Sequence, residues 1–256
     1  MNMKENFIHP TALLIGEVNM GIGNYFGPGC LIVGPITIGD NNFFGAQCVV
    51  GTPPEDDVVS TKEHIASLTG EIVSNGSISI GNNNVIREFV SINRGETTKT
   101  EIFDDVFLMA YSHIAHDCRI QSKAKITNAV QLGGYTTIGY GANIGLSSTL
   151  HQWIVVGAFA MIGMNSTVTR NIPPGSLALG TPAKIKGPNI FSLEKLGIDN
   201  FDFWDEYSAD IECKRIPSQL ASHIEFFKKE EKDKINLQSF SRRWRYERST
   251  KNSFEV

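Results

Sequence analysis

Residues 102–168 read IFDDVFLMAYSHIAHDCRIQSKAKITNAVQLGGYTTIGYGANIGLSSTLHQWIVVGAFAMIGMNSTV. An apolar residue stands at every sixth position of this stretch without exception: Ile102, Leu108, Ile114, Ile120, Ile126, Leu132, Ile138, Ile144, Leu150, Val156, Ile162 and Val168. A period of six fits neither an α-helix, whose apolar face returns about every 3.6 residues, nor a lone strand, whose faces alternate. This period decides the fold class.

A six-residue period is typical of a parallel β-helix, in which stacked coils share one continuous core. The same period appears earlier in the chain, at Ile8, Leu14, Met20, Phe26, Ile32, Ile38, Phe44, Val50, Ile80, Ile86 and Ile92. Three hexads make one coil, so residues eighteen apart are expected to stack at about one strand spacing, ~4.8 Å. Glycine follows several of the apolar positions, where we expect it to relieve strain at corners: Gly39, Gly81, Gly139, Gly157 and Gly163.

Two interruptions break the repeat. Between Val50 and Ile80, prolines, acids and small polar residues indicate an extruded loop. A shorter break from Arg94 to Glu101 shifts the phase of the apolar positions. Excursions from a rigid solenoid often carry binding residues, although repeats also tolerate passive insertions on one face. The pattern leaves both interpretations open.

The bulk properties exclude several classes of protein. The chain has 256 residues and a formal net charge of -4, which argues against general nucleic-acid binding because that needs a basic surface. Four cysteines without CxxC spacing indicate neither a zinc site nor a disulfide framework, so buried, reduced thiols are expected. No secretory signal or membrane-spanning run is apparent, and a cytoplasmic protein is expected.

The hexads stop near Asn171, and a helical pattern begins at about Ser192. We therefore expect an all-β solenoid over residues 1–186, with a loop insertion at 52–78, and a C-terminal α-helical domain over 187–256. Ser192 and Ser218 suit helix caps. The last segment, SRRWRYERS, is basic, and both a solvated helix face and a docking patch for an acidic partner fit it.

Two histidines and a carboxylate cluster in the segment from His113 to Asp117. The eighteen-residue stack places His116 beside Gly134, with Gln152 one coil further. A glycine beside a histidine leaves a backbone N–H approachable, and this N–H would stabilise an oxyanion while the imidazole takes a proton. The column therefore suggests acyl transfer.

A neighbouring column brings His151 onto the same wall, about two coils or ~10 Å away, where substrate contact is its expected role. A purely structural role, as a satisfied polar group on a turn, is the alternative for each histidine. Zinc held by histidines of adjacent subunits, as in the gamma-class carbonic anhydrases, is another. The His-x-x-x-x-His spacing of those enzymes is absent, so no metal site is predicted.

Several strings carry a family resemblance over roughly residues 7–191: Ile8–Ala12, Ile86–Gly95, His113–Cys118, His151–Gln152, Pro173–Pro174 and Asn189–Ile190. In these strings the chain resembles the bacterial UDP-N-acetylglucosamine O-acyltransferases that begin lipid A synthesis, within the hexapeptide-repeat acyltransferases. The resemblance implies a left-handed parallel β-helix and a homotrimer with active sites between subunits. It also implies a UDP-sugar acceptor, a thioester donor on acyl carrier protein or coenzyme A, and no further cofactor.

Matching positions give expected roles to individual residues. The resemblance implies a general base at His116, an orienting carboxylate at Asp117 and an oxyanion-binding amide at Gly134. It further implies contacts to the sugar nucleotide or acyl donor at a second set of positions: Asp56, His113, Tyr135, His151, Gln152, Met164 and Asn189.

The chain also departs from the family pattern. Tyr135 follows Gly134 where a histidine is usual, Val58 replaces a substrate-binding lysine, and Glu55 replaces a glutamine. Met164 stands where relatives that take long 3-hydroxyacyl chains have glycine, so a shorter acyl group is expected because the groove is filled. An N- or O-acyltransferase of surface polysaccharide synthesis and a non-catalytic trimeric binding protein are the alternatives.

Overall fold

The computed structural model describes residues 5–55, 61–69, 76–213 and 215–252. In this part of the chain, short strands stack into three sheets that form the faces of a parallel β-solenoid, as the six-residue period predicts. Face A contains β1 (Phe7–Ile8), β4 (Tyr25–Phe26), β7 (Phe43–Phe44), β10 (Val85–Ile86), β13 (Phe107–Leu108), β16 (Lys125–Ile126), β19 (Asn143–Ile144), β22 (Met161–Ile162), β24 (Ser176–Leu179) and β25 (Lys184–Pro188).

The other two faces complete each coil. Face B contains β2 (Leu13–Ile15), β5 (Leu31–Val33), β8 (Val49–Thr52), β11 (Ser91–Asn93), β14 (His113–Ile114), β17 (Gln131–Leu132), β20 (Thr149–Leu150) and β23 (Thr167–Val168). Face C contains β3 (Val18–Met20), β6 (Ile36–Ile38), β9 (Ser77–Ile80), β12 (Lys99–Ile102), β15 (Arg119–Ile120), β18 (Thr137–Ile138) and β21 (Val155–Val156). Only β25 pairs antiparallel among these strands, against β24.

The register between coils follows the predicted step of eighteen residues. Ile114 pairs with Leu132, which pairs in turn with Leu150. The step lengthens at two levels: Asn42 and Asn84 are stacked neighbours 42 positions apart, and Asn82 and Asp104 are neighbours 22 apart. The extra residues lie in the two interruptions of the repeat, which leave the solenoid and return to it in register.

The core consists of the six-residue series. All twelve apolar residues from Ile102 to Val168 are buried, and Leu150, at 4%, is the most exposed of them. Ile8 is 44% exposed because its coil forms the open end of the stack. The four cysteines are buried free thiols; Cys30 and Cys48 donate to the carbonyls of Gly45 and Arg87 from inside the corners.

The glycines that follow apolar positions allow close packing between coils, and the expectation that they relieve corner strain is wrong. A Cβ on Gly139 would lie 2.4 Å from the backbone nitrogen of Ala158, although the φ of Gly139 is not left-handed. The left-handed corner residues are mostly non-glycine and stand three positions after the apolar residue. Asp117 and Tyr135, with φ of 57° and 60°, are examples.

The described helices lie in the loop insertion and in the C-terminal segment: α1 (Thr61–Thr69), α2 (Ile190–Glu194), α3 (Trp204–Ala209) and α4 (Ser218–Asn252). α4 begins at Ser218, but Ser192 lies inside α2, whose cap is Asn189. A second apolar cluster, which includes Leu193 and Trp204, packs on the last coils. Because β25 ends at Pro188, strand structure passes the expected boundary at 186; the two-domain division stays a prediction. No described helix has the length and apolar character needed to cross a bilayer.

Candidate active site

His116 and Asp117 occupy the corner between β14 on face B and β15 on face C. Nδ1 of His116 lies 2.8 Å from Oδ2 of Asp117, and the His116 side chain is 8% exposed. The left-handed φ of Asp117 turns the chain at this point, as it does at corners throughout the solenoid. The repeat itself therefore brings these consecutive side chains together, and they form the His116–Asp117 pair.

The Asp117 carboxylate is held by the loop between β11 and β12. It accepts hydrogen bonds from the backbone N–H groups of Glu96, Thr97 and Thr98 at 2.8, 3.2 and 2.6 Å. The Thr98 hydroxyl donates a further bond at 2.7 Å. This loop is the shorter interruption of the repeat, so the extra residues of one coil form an anion-binding cradle for a side chain of the next.

The charge state of Asp117 follows from this cradle. Burial alone would raise the pKa of the carboxyl, but the hydrogen bonds from His116, Glu96 and Thr98 outweigh burial and hold its pKa below the usual range. Asp117 is therefore ionised near neutral pH and accepts the Nδ1 proton of His116. That hydrogen-bond pattern assigns the tautomer in which Nε2 is free to act as a base.

Gly134 lies directly against the imidazole. A Cβ at this position would lie 2.7 Å from Nε2 of His116 and 2.8 Å from Cε1, so a larger residue would displace the ring. The carbonyl of Gly134 accepts a hydrogen bond from the N–H of Trp153 at 2.9 Å. Within the described part of the chain, its own N–H donates to no main-chain carbonyl. This N–H can therefore donate to an oxygen of a ligand.

A cleft of about 480 Å³ opens beside His116. Its walls come from face B, the following corner and the base of the first insertion: Glu55, His113, Ala115, His116, Gln131, Leu132, Gly133, Gly134, Thr149, Leu150, His151 and Gln152. The Ser91 hydroxyl lies 2.8 Å from Nδ1 of His113. Burial lowers the pKa of His113, with Glu55 opposing and His116 reinforcing that shift.

Known proteins with a hexapeptide repeat and with acyltransferase names resemble this chain. Residues 35–59 match the family model described as the hexapeptide repeat of succinyl-transferase. The chain is 37% identical over 127 residues to the acyl-(acyl-carrier-protein) UDP-N-acetylglucosamine O-acyltransferase of Synechocystis sp., covering 49% of this chain and 46% of that relative. The chain thus spans about half the length of the curated relatives it matches.

Solved structures extend the likeness over most of the chain. A crystal structure of a UDP-N-acetylglucosamine acyltransferase is 30% identical, covers 83% of each chain and has a TM-score of 0.55. The chain belongs to the UDP-N-acetylglucosamine acyltransferase family. The family member from Campylobacter jejuni is 28% identical, with a TM-score of 0.58, and covers 80% of this chain and 79% of its own.

In this acyltransferase-family chain, the structure brings part of the expected site together. His113, His116, Gly134, His151 and Gln152 line one cleft. Their positions follow from the eighteen-residue step, which runs from His116 to Gly134 to Gln152. Asp117 lies behind His116, with its side chain fully buried. Their catalytic and binding roles stay predictions.

Other expected site residues of this family member lie elsewhere. Tyr135 is 1% exposed, stacks on Trp153 at 3.7 Å between ring centroids, and directs its hydroxyl to Glu96 and Thr97 at 3.1 Å. Burial raises the pKa of Tyr135 far above its ordinary value, so the phenol is neutral. Tyr135 therefore supports the loop behind the His116–Asp117 pair and is absent from the walls of the cleft.

Two more expected contacts, Met164 and Asn189, are not brought to the cleft, and a third falls outside the described part of the chain. Met164 is 66% exposed on the corner between faces A and B. The Asn189 amide donates to the carbonyl of Phe159 at 2.7 Å and to the hydroxyl of Ser192 at 2.8 Å, which fixes the start of α2. Asp56, like Val58, lies outside the described residues.

Glu96, His116 and Asp117 place one ligand atom each within 4.8 Å of one another, a spacing that would suit a metal ion. The hydrogen bonds that these atoms already form do not suit a metal ion. The Asp117 oxygens already accept backbone and hydroxyl hydrogen bonds, and a metal would have to displace these donors. The arrangement therefore favours an acid–base pair.

Two groups of residues beside the site were not predicted from the sequence. Glu96, Thr97 and Thr98 hold Asp117, and the phase shift of the repeat at this point was the available signal. Glu230 and Lys234 of α4 lie with Asp117 around a second cavity. No pattern in the sequence indicated where α4 would pack on the solenoid.

Proposed function

We propose that this chain transfers an acyl group from a thioester, on acyl carrier protein or coenzyme A, to a UDP-N-acetylglucosamine-type acceptor. The observation that carries the proposal is the position of His116 between Asp117 and Gly134. Nδ1 contacts the carboxylate, and Nε2 lies beside a glycine with an available N–H. Family membership supports the same class of reaction, since the relatives named above carry this activity in their names.

The reaction begins when Nε2 of His116 takes the proton of the acceptor hydroxyl. The oxygen attacks the thioester carbonyl, a carbon–oxygen bond forms, and the Gly134 N–H stabilises the negative oxygen of the tetrahedral intermediate. Collapse of this intermediate breaks the carbon–sulfur bond. The leaving thiolate takes the proton from His116, so the base is restored at the end of each turnover.

Asp117 keeps the imidazole in the required tautomer and favours its protonated form during attack. The rest of the cleft supplies hydrogen-bonding side chains at Gln131, Thr149 and Gln152, which suit a polar sugar nucleotide. Apolar corner residues such as Met164 suit the acyl chain, and a methionine there favours a short or medium chain. The proposed assembly is a homotrimer in which a neighbouring subunit closes the cleft, and the proposed location is the cytoplasm.

Thiol release tests this function. Purified protein is incubated with UDP-N-acetylglucosamine and a panel of acyl carrier protein and coenzyme A thioesters of increasing chain length. We expect acceptor-dependent thiol release, and a fall of at least about a hundredfold in His116→Ala. Undiminished release in the variant contradicts the general-base role. No release with any donor favours the non-catalytic binding protein.

Glu55 favours a second candidate, transfer to an amine. Its carboxylate lies in the cleft wall near His113, where a carboxylate attracts an ammonium group on the acceptor. Offering UDP-sugars that present either a hydroxyl or an amino group as the acceptor distinguishes the two, because an ester product is cleaved by mild alkali and an amide is not. Glu55→Gln is expected to lower transfer to the amine and leave transfer to the hydroxyl unchanged.

A further inference from the structure

A second cavity lies on the far side of Asp117 from the substrate cleft. It has a volume of about 440 Å³ and separates α4 from face C. Its walls carry charged groups from both sides: Thr98, Lys99, Glu101, Asp117, Arg119, Tyr135, Glu230, Asp233, Lys234 and Asn236. Asp117 and Tyr135 therefore connect this cavity to the His116–Asp117 pair.

Glu230 anchors α4 at this place. It is 2% exposed, forms an ion pair with Arg119 of β15, and accepts a hydrogen bond from the Thr137 hydroxyl of β18 at 2.8 Å. Asn171 donates a further bond to Glu231 at 2.8 Å. A helix fixed by a buried carboxylate presents the residue four positions later on the same face.

That residue is Lys234, which is 6% exposed. Among the residues that the structure describes, no carboxylate oxygen lies within 4.0 Å of its ammonium, so no single ion pair neutralises it. Burial lowers the pKa of Lys234, Arg119 adds to this shift, and Glu230, Cys118 and, least of these, Asp117 oppose it. The ammonium and the Asp117 carboxylate line the same cavity, where charges are screened less than in water.

We propose that Lys234 is a positioning residue: its ammonium, carried behind the His116–Asp117 pair by α4, stabilises ionised Asp117 and so keeps His116 in the tautomer that catalysis needs. The role of Lys234 in catalysis rests on the proposed function, whereas its electrostatic effect on Asp117 does not. α4 thereby becomes part of the site, although none of its described side chains lines the substrate cleft.

Several titratable groups face the pair and the cavity together with Lys234. On the loop and face C these are Glu96, Lys99, Glu101, Arg119 and Tyr135; on α4 they are Glu230 and Asp233; in the cleft they are Glu55, His113 and His151. A substitution that removes one cation and leaves these groups in place makes proton uptake by the pair easier. The sign is therefore fixed: the pair takes up its proton at higher pH when Lys234 loses its charge.

The test compares three variants of the full chain. Lys234→Met removes the charge and keeps most of the side-chain volume, and Lys234→Arg keeps the charge. Lys232→Met removes an exposed lysine from the same helix as a matched control. The readouts are the pH dependence of the Asp117 carboxyl carbon resonance and the acidic limb of the pH–rate profile, with thermal unfolding to verify the fold.

We expect both midpoints to rise by about one pH unit in Lys234→Met and to stay at the wild-type values in Lys234→Arg and Lys232→Met. Equal midpoints in wild type and folded Lys234→Met overturn the proposal. If Lys234→Met does not fold, Lys234→Gln takes its place with the same expectation. The titration of the Asp117 resonance needs no substrate. If the chain shows no transferase activity, the proposed function is contradicted, and the titration still tests the effect of Lys234 on Asp117.

Discussion

The Asp117 carboxylate lies 2.8 Å from Nδ1 of His116 and receives three backbone N–H groups from a loop of the preceding coil. The carboxylate therefore cannot rotate away from the imidazole without losing these bonds. Because Nδ1 must donate to it, Nε2 is the nitrogen left to accept a proton, and it lies beside Gly134. The orientation of the base is thus a property of the backbone of two coils.

Loss of the base tests the centre of this arrangement. His116→Gln keeps a polar side chain of similar reach but removes the basic ring nitrogen, so thiol release is expected to fall by about 10² to 10⁴. His9→Gln, in the first coil of the solenoid, is the control and should retain full activity. Comparable rates in the two variants would contradict the assignment.

Asp117→Asn tests the cradle. Near neutral pH this change replaces an ionised carboxylate, held by several N–H groups, with a neutral amide that accepts weaker hydrogen bonds. The free energy of unfolding is therefore expected to fall by about 3 kcal/mol. The pKa of Asp117 is lowered in the folded state, so its contribution is present above the ordinary carboxyl pKa and is lost as the pH falls through the lowered value. Urea unfolding at a series of pH values measures this difference.

Asp105→Asn is the matched control for that experiment. Asp105 has the same left-handed backbone, with φ of 56° against 57° for Asp117, but it is exposed. Its substitution is expected to change the free energy of unfolding by less than about 0.5 kcal/mol. A similar loss in both variants would assign the effect to the corner conformation and not to the cradle.

Gly134→Ala tests the close approach to the imidazole. The added Cβ would stand 2.7 Å from Nε2, so the ring must move, and we expect thiol release to fall about a hundredfold. Gly163→Ala creates an equally close contact, 2.7 Å from Cβ of Leu179, away from the cleft. Equal activity losses in these two variants would mean that strain, and not the position of His116, limits the rate.

Ile138→Ala tests the core series. Ile138 is fully buried, so its truncation is expected to lower the free energy of unfolding by about 2 to 5 kcal/mol. Ile8→Ala removes the same atoms from the open first coil, where the residue is 44% exposed, and should cost much less. Chemical denaturation of both variants gives the comparison; a larger loss at Ile8 would contradict the assignment of the core.

Met164→Gly tests the expected limit on acyl length. With 66% of its surface exposed, Met164 can be truncated at little cost to stability. If its side chain fills the acyl groove, the glycine variant should transfer chains several carbons longer than the wild type, as measured with the same thioester panel. An unchanged chain-length profile would remove Met164 from the groove. Leu13→Gly, at an exposed position of the first coil, is the control.

The architecture was predictable because one period recurs through the chain. A step of six fixes the inward residues, and a step of eighteen fixes vertical neighbours, so the approach of His116, Gly134 and Gln152 followed without a structure. The burial of Ile102 through Val168 has the same origin. The prediction for the glycines that follow apolar positions was wrong. At Gly139 the next coil leaves no space for a Cβ, whereas the backbone conformation is one that other residues adopt.

The rest of the site depends on where the repeat is broken. The loop at Glu96–Thr98 has no counterpart in other coils, so stacking gave no position for it. Residues at the equivalent corner of other coils have the same backbone conformation as Tyr135, so the repeat does not show where its side chain points. The Tyr135 hydroxyl points towards the loop because it forms hydrogen bonds with Glu96 and Thr97. Lys234 belongs to a helix whose docking is decided by Glu230 and the apolar face around Ile224, which sequence spacing cannot place against face C.

The fixed step between coils has a consequence for substrate length. Parallel strands pair at about 4.8 Å, so a groove that follows the solenoid axis lengthens only by a whole coil, which spans several methylene groups. Discrimination between acyl chains that differ by one or two carbons must then come from side chains that intrude on the groove. In the proposed acyltransferase, the number of coils would then set the acyl-chain length coarsely, and side-chain volume would set it finely.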